Sequence, residues 1–153
     1  MARRLLLLLA LMLAAGAALA LPAGAQEAPN PPSPYIVGGD AQRALDKARA
    51  TWKAAKIASY RYEARRTCFC PTSGWHTVNV RRGMPSKGVH SDVKDIATVP
   101  RLFRQIQRAI DRKAHGLTVT YGAHGVPKQI SIDPYENLID EEQYFTTRAF
   151  KRR

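Results

Sequence analysis

Twice along this chain the spacing of apolar residues changes from helical to strand-like, and few folds accommodate that alternation. From Asp40 to Lys56, the residues Leu45, Ala48, Trp52 and Ala55 recur at helical spacing, while Arg43, Lys47, Arg49, Lys53 and Lys56 fall mostly elsewhere on the wheel. This predicts a helix with one buried stripe and Asp40 as its N-cap. At Tyr60 the period drops to two: Tyr60, Tyr62 and Ala64 alternate with Arg61, Glu63 and Arg65, a half-buried strand running towards Cys70 and stopped by Pro71. Residues 71–74 read as a turn, and residues 75–82 as the hairpin partner with His76, Val78 and Val80 on one face. Residues 83–91 have room for one short further strand.

The pattern then restarts. Thr98 is placed to cap a second helix whose apolar face is Leu102, Phe103, Ile106, Ala109 and Ile110, with Arg101, Arg104, Arg108 and Arg112 along another face and Gly116 beyond its end. Strands over residues 117–121, 128–133 and 142–150 follow, separated by turns around His124, Gly125 and Pro127 and at residues 134–137. The order helix, strands, helix, strands, with short connections, predicts an α+β fold: an antiparallel sheet with two helices packed on one face. Both basic helix faces then point outward, and Arg101, Arg104, Arg108 and Arg112 become candidate contacts for an anionic partner.

Ahead of this domain, Arg3 and Arg4 precede an unbroken apolar run over residues 5–13 and small residues over 14–20, the order of a secretory signal. Small-x-small sites end at Ala20 and at Ala25. The second leaves polar Gln26 at the start, so residues 1–25 read as a signal peptide. Pro22 and the alanine and glycine cluster suit a cleavage region better than an uncleaved anchor, and no later apolar run is long enough to span a bilayer. The expected location is periplasmic or secreted. Residues 26–39, with Pro29, Pro31, Pro32, Pro34, Gly38 and Gly39, read as an extended Pro-rich tether, and residues 40–153 as a single domain.

Charge narrows the partners. The whole chain carries 24 Lys and Arg against 12 Asp and Glu; without residues 1–25, which hold Arg3 and Arg4 and no acid, the balance is 22 against 12, a net of +10. In a cytosolic protein this would suggest nucleic acid, but an exported one meets anionic lipid head groups, cell-wall polymers and acidic proteins. No nucleic-acid partner is expected; an anionic envelope component or an acidic protein is.

Cys68 and Cys70 are the only cysteines, and an oxidising compartment favours a bond between them. On a regular strand, residues two apart have Cα atoms about 6.5–7 Å apart, at the upper limit for a disulfide, so pairing requires a bend next to Pro71. A strained bond is also easier to reduce, which a redox pair needs. A metal reading would join Cys68, Cys70 and His76 across the hairpin, a set suited to copper or zinc but without a fourth ligand. A thiolate nucleophile with His76 or His124 as base has nothing to fix its geometry. His76, His90, His115 and His124 show no zinc-type spacing, and each reads as a surface or turn residue. Five acids between Asp133 and Glu142 flank a turn that could bind calcium or pair with arginines. No phosphate loop, serine elbow or helical two-histidine motif occurs, and no cofactor is expected.

One pattern resembles a known family. Trp52, Tyr60-Arg61-Tyr62, Cys68-Phe69-Cys70-Pro71, Leu102-Phe103, Tyr121 with Gly125-x-Pro127, and Asp133 leading to Asp140-Glu141-Glu142 together are similar to the small exported bacterial family known as domain of unknown function six-one-seven-four. The resemblance spans about residues 50–150. It implies export and no catalytic residues; Gly122-Ala123-His124 stands where the family pattern is expected to carry an aspartate. The reading that follows is a non-enzymatic binding or accessory module of the cell envelope. Its alternatives are a thiol redox or metal-handling protein built on Cys68 and Cys70, and an inhibitor or adaptor using a sheet edge or the basic helix faces.

Overall fold

The structure, a computed structural model, describes residues 31–68, 74–138 and 140–153. The predicted signal peptide, residues 26–30 of the tether and the turn containing Cys70 lie outside the described residues. Helices α1 (Pro34–Val37), α2 (Asp40–Ala55) and α3 (Val99–Asp111) accompany strands β1 (Tyr60–Thr67), β2 (His76–Arg81), β3 (Met84–Pro85), β4 (Gly116–Tyr121), β5 (Pro127–Asp133) and β6 (Gln143–Arg152). The strands form one antiparallel sheet in the order β3-β2-β1-β6-β5-β4. The chain is thus α+β. Among the described residues no helix is long and apolar enough to cross a membrane.

The strand order shows that the two halves are not copies of one unit. The first half walks outward from the centre, β1 to β3, and the second walks inward from the edge, β4 to β6, so the two meanders meet along β1 and β6. Alternation decides what each strand buries. Tyr60, Tyr62 and Ala64 of β1, Val78 and Val80 of β2, Ile130 and Ile132 of β5 and Phe145 of β6 are buried, and with Leu102, Phe103 and Ile106 of α3 they form the core. The opposite face carries Glu63, Arg65, Trp75 and Arg148: Trp75 has the Arg148 guanidinium 3.9 Å and the Arg65 guanidinium 4.8 Å from its ring centre, and Arg148 Nε meets Glu63 at 2.6 Å. Of the aromatic residues, Trp52, Tyr60 and Phe150 pack edge-on or tilted against one another and Tyr60 stacks on Tyr62, so they serve the core.

Two of these tyrosines hold the start of α3. The Tyr60 hydroxyl accepts from the Val99 amide at 3.0 Å, and the Tyr62 hydroxyl donates to the Ile96 carbonyl. Ile96 ends the 3-10 turn Ser91–Ile96 and Val99 opens α3, so both partners are helix-end groups that no intrahelical bond satisfies. Burial pushes the Tyr60 hydroxyl up to about 12, with the Val99 bond opposing it, and pushes Tyr62 well above the ordinary tyrosine value. Thr98 caps α3 as its sequence position predicts, its Oγ accepting from Arg101 N at 3.2 Å.

Two local expectations are corrected. The part of the 26–39 stretch that is described is not extended: Pro34 sits in the first turn of α1, where its fixed φ and missing N–H suit a helix start. This segment docks on the domain, with buried Ser33 donating its amide to the Ala114 carbonyl at 2.9 Å and Tyr35 and Ile36 packed against the core. Asp40 is not the N-cap of α2. Gly39 takes that position at φ 76, and Asp40, one residue on, pairs with Arg43 at 2.7 Å. The short further strand for which residues 83–91 had room is present as Met84–Pro85, and a 3-10 turn follows it.

Helix α2 buries Ala41, Leu45 and Ala48, and the small side chain of Ala48 lets another backbone come close. The 3-10 turn Ala123–Gly125 fills the space, with His124 at φ 58 and Gly125 at φ 74. A Cβ on Gly125 would stand 2.3 Å from the Ala48 carbonyl oxygen. Helices α2 and α3 are clasped by polar groups: Gln107 donates to Gln42 at 2.9 Å and accepts from Arg49 at 2.7 Å.

Candidate functional site

The first candidate lies between the second half of α3 and the end of the sheet where β1 finishes and β6 begins. Alternation along β1 places Arg66 on the same face as Tyr60, Tyr62 and Ala64, but one step beyond the core, opposite Phe145 of β6. There its guanidinium lies 5.8 Å from the Phe145 ring centre and reaches Gln143 Oε1 at 3.4 Å. Arg108 of α3 and Arg112, which caps its C-terminus one turn later, come down on the other side. With Gln105, Ile132 and Tyr135 these residues enclose a cleft of about 220 Å³. Neither Arg108 nor Arg112 has an ion-pair partner among the described residues. Among the described residues Asp95 is the one carboxylate lining the cleft, so cations dominate the wall over an apolar floor of Ile132 and Phe145.

Of the four arginines expected on one basic helix face, the structure therefore brings two to the cleft. Arg101 is instead tied to the Lys94 carbonyl at 2.6 Å, and Arg104 is exposed away from it. Arg66, Gln105 and Gln143 were not singled out from sequence. Arg66 could have been found from its parity with Tyr62 and Ala64; Gln143 could not, because nothing local says that β6 pairs with β1.

The second candidate is a cluster of imidazoles. His76 opens β2 on the core face, as its parity with Val78 and Val80 predicts, and there meets His90 and Asp92 from the turn that leads into α3. The His76 and His90 rings stack with centroids 3.9 Å apart and planes 14° apart. Asp92 Oδ2 lies 3.4 Å from His90 Nδ1 and 3.9 Å from His76 Nε2. His90 and Asp92 were not expected to join His76.

Of the ligand set read from sequence, Cys68, Cys70 and His76, Cys70 lies outside the described residues; among those described, the groups that gather around His76 are His90 and Asp92. Ala64 lies opposite His76, and Cys68 follows four residues further along, on the order of 10 Å away at extended spacing. Among the described residues no cysteine is a free thiol; Cys70 lies outside them. His115 Nδ1 contacts the Pro31 carbonyl at 3.0 Å and His124 sits beside Phe150, and neither joins the arginine cleft or the imidazole cluster. Among the described residues the acids from Asp133 to Glu142 form no group of three ligand atoms; Asp133 instead accepts from the Tyr135 amide at 3.2 Å.

A family model described as a family of unknown function, DUF6174, matches residues 44–152. The chain belongs to this family. The match takes in most of α2, the whole sheet and both candidate sites, so the cleft and the imidazole cluster are set on the DUF6174 domain itself. No curated protein matches the chain, and neither does any solved structure.

Proposed function

We propose that this DUF6174 chain is an exported, non-enzymatic binding module of the cell envelope, and that it takes the carboxylate of an acidic partner in the cleft beneath α3. The observation that carries the reading is the meeting of Arg66, Arg108 and Arg112 over Ile132 and Phe145. Guanidinium groups bind carboxylates through paired, charge-assisted hydrogen bonds, and an apolar floor accepts the methylenes behind the charge. Export is supported by the charged and then apolar order of residues 3–20, with cleavage after Ala25 and release to the periplasm or medium. With α2 and α3 sharing one face of the sheet, the arginines of α3 open outward, where a large partner can reach them.

The test is a calorimetric titration with a short glutamate- and leucine-containing peptide. Removing both Arg108 and Arg112 by alanine should weaken binding at least tenfold, since a hydrogen bond to a charged group contributes about 1.5–3 kcal/mol. The Arg101→Ala, Arg104→Ala pair removes the same charge outside the cleft and should change affinity far less. Equal losses in the two double variants would reduce the interaction to bulk charge and defeat the cleft.

The alternative, a thiol redox protein, rests on Cys68 and Cys70. A bond within that pair is supported by the absence of free thiols among the described residues. Intact mass and alkylation of protein recovered outside the cytoplasm test this together with the start at Gln26. A disulfide that exchanges with mild thiols would favour the redox reading over the binding module.

A further inference from the structure

Nε2 of His76 is buried with no hydrogen-bond partner among the described residues, and a buried imidazole nitrogen left unpaired is costly unless something fills its lone pair. It faces a carboxylate and a second imidazole. We propose that His76, His90 and Asp92 bind one borderline divalent transition-metal ion of the zinc type. This site is separate from the arginine cleft and does not depend on it.

The donor set selects the ion. Two imidazole nitrogens and one carboxylate oxygen suit zinc and copper(II) alike, whereas calcium and magnesium require shells of oxygen. Spacing agrees. In a tetrahedral site with bonds of about 2.0–2.1 Å, ligand atoms stand roughly 3.3–3.4 Å apart. His90 Nδ1 is already 3.4 Å from Asp92 Oδ2, His76 Nε2 is 3.9 Å from it, and the three ligand atoms all lie within 4.8 Å of one another. Closing the remaining gap takes shifts of an ångström or so.

One rearrangement is required. Rings stacked 14° from parallel hold their lone pairs in planes that do not intersect at the ion, so one imidazole must turn. His90 is the ring free to do so, because its side chain is 51% exposed against 22% for His76. Its Nδ1 accepts only a long bond, 3.4 Å from the Asp92 amide, which the ion replaces. Ser91 Oγ lies 3.3 Å from Asp92 Oδ1, holding that oxygen and leaving Oδ2 for the metal. Three protein ligands leave a fourth position on the solvent side for water or a ligand group.

Zinc chloride titrated calorimetrically into the protein as purified from the expressing cell, with its cysteines oxidised, should bind at one equivalent. His90→Ala and Asp92→Asn should each weaken binding by roughly tenfold or more, the scale on which even outer-shell losses act. In the unaltered protein, zinc should move the imidazole resonances of His76 and His90 and leave those of His115 and His124 in place. That second reading decides the matter if a variant fails to fold. Absence of zinc binding, or binding that survives both substitutions or shifts the other histidines instead, would overturn the proposal.

Discussion

Gly125→Ala is expected to remove about 3–5 kcal/mol of stability, enough to leave a marginal domain largely unfolded. Two costs combine. At φ 74 an alanine must adopt the left-handed region, at about 1–2 kcal/mol. Its Cβ would also stand 2.3 Å from the Ala48 oxygen and 3.0 Å from the carbonyl carbon, and neither atom can step aside without moving α2. Gly122→Ala is the control. There the atoms nearest the new Cβ belong to the flexible Lys128 side chain, at 2.8 Å, and φ is an ordinary −108. Denaturant unfolding should show Gly122→Ala within about 1 kcal/mol of the unaltered protein. A Gly125→Ala loss equally small would mean that the turn does not sit against α2.

The tyrosine pair carries the second large effect. Tyr60→Phe should cost about 1–3 kcal/mol by leaving the Val99 amide buried and unpaired, and Tyr62→Phe a similar amount through the Ile96 carbonyl. The pH dependence gives an independent check. Tyrosines of the unfolded chain ionise near pH 10, while Tyr60 in the folded protein is held to about 12 and Tyr62 is raised as well. Between those values the unfolded chain binds fewer protons, so stability present below pH 10 falls as pH rises, by up to tenfold in the folding constant per unit for each tyrosine. Tyr60→Phe should therefore be less stable than the parent at pH 7 yet lose stability less steeply between pH 10 and 12. Parallel curves for the two proteins would contradict the raised value.

Much of this arrangement was legible in residue order. The tyrosine alternation placed β1, the leucine and phenylalanine spacing placed α3, and Thr98 capped where a threonine should. The misreadings share a cause: residues with two uses. Prolines that bar a strand or a helix interior also start a helix, and Pro34 does so once Tyr35 and Ile36 have a core to rest on. Asp40 has the side chain of an N-cap, but Gly39 ahead of it meets the backbone demand. The sites were less legible because each draws on strands or turns that become neighbours only when the sheet is assembled. Arg108 and Arg112 were visible as a stripe; that Arg66 and Gln143 would face them depends on β6 lying beside β1. His90 is fourteen residues from His76, and no spacing rule links them.

That central seam has a further consequence, in kinetics. Each three-strand meander is made of neighbouring segments and can form early, but the seam pairs Tyr60 with Arg152 and waits on the most distant contacts in the sheet. Until it closes, each half exposes an unpaired strand edge of eight to ten residues to solvent. The same edges are presented by every other copy of the chain, and β1 of one molecule offers β6 of another the same ladder it offers its own. Refolding at high concentration therefore sets intramolecular closure against exchange of halves, with the winner decided by how fast the seam closes rather than by how stable it is.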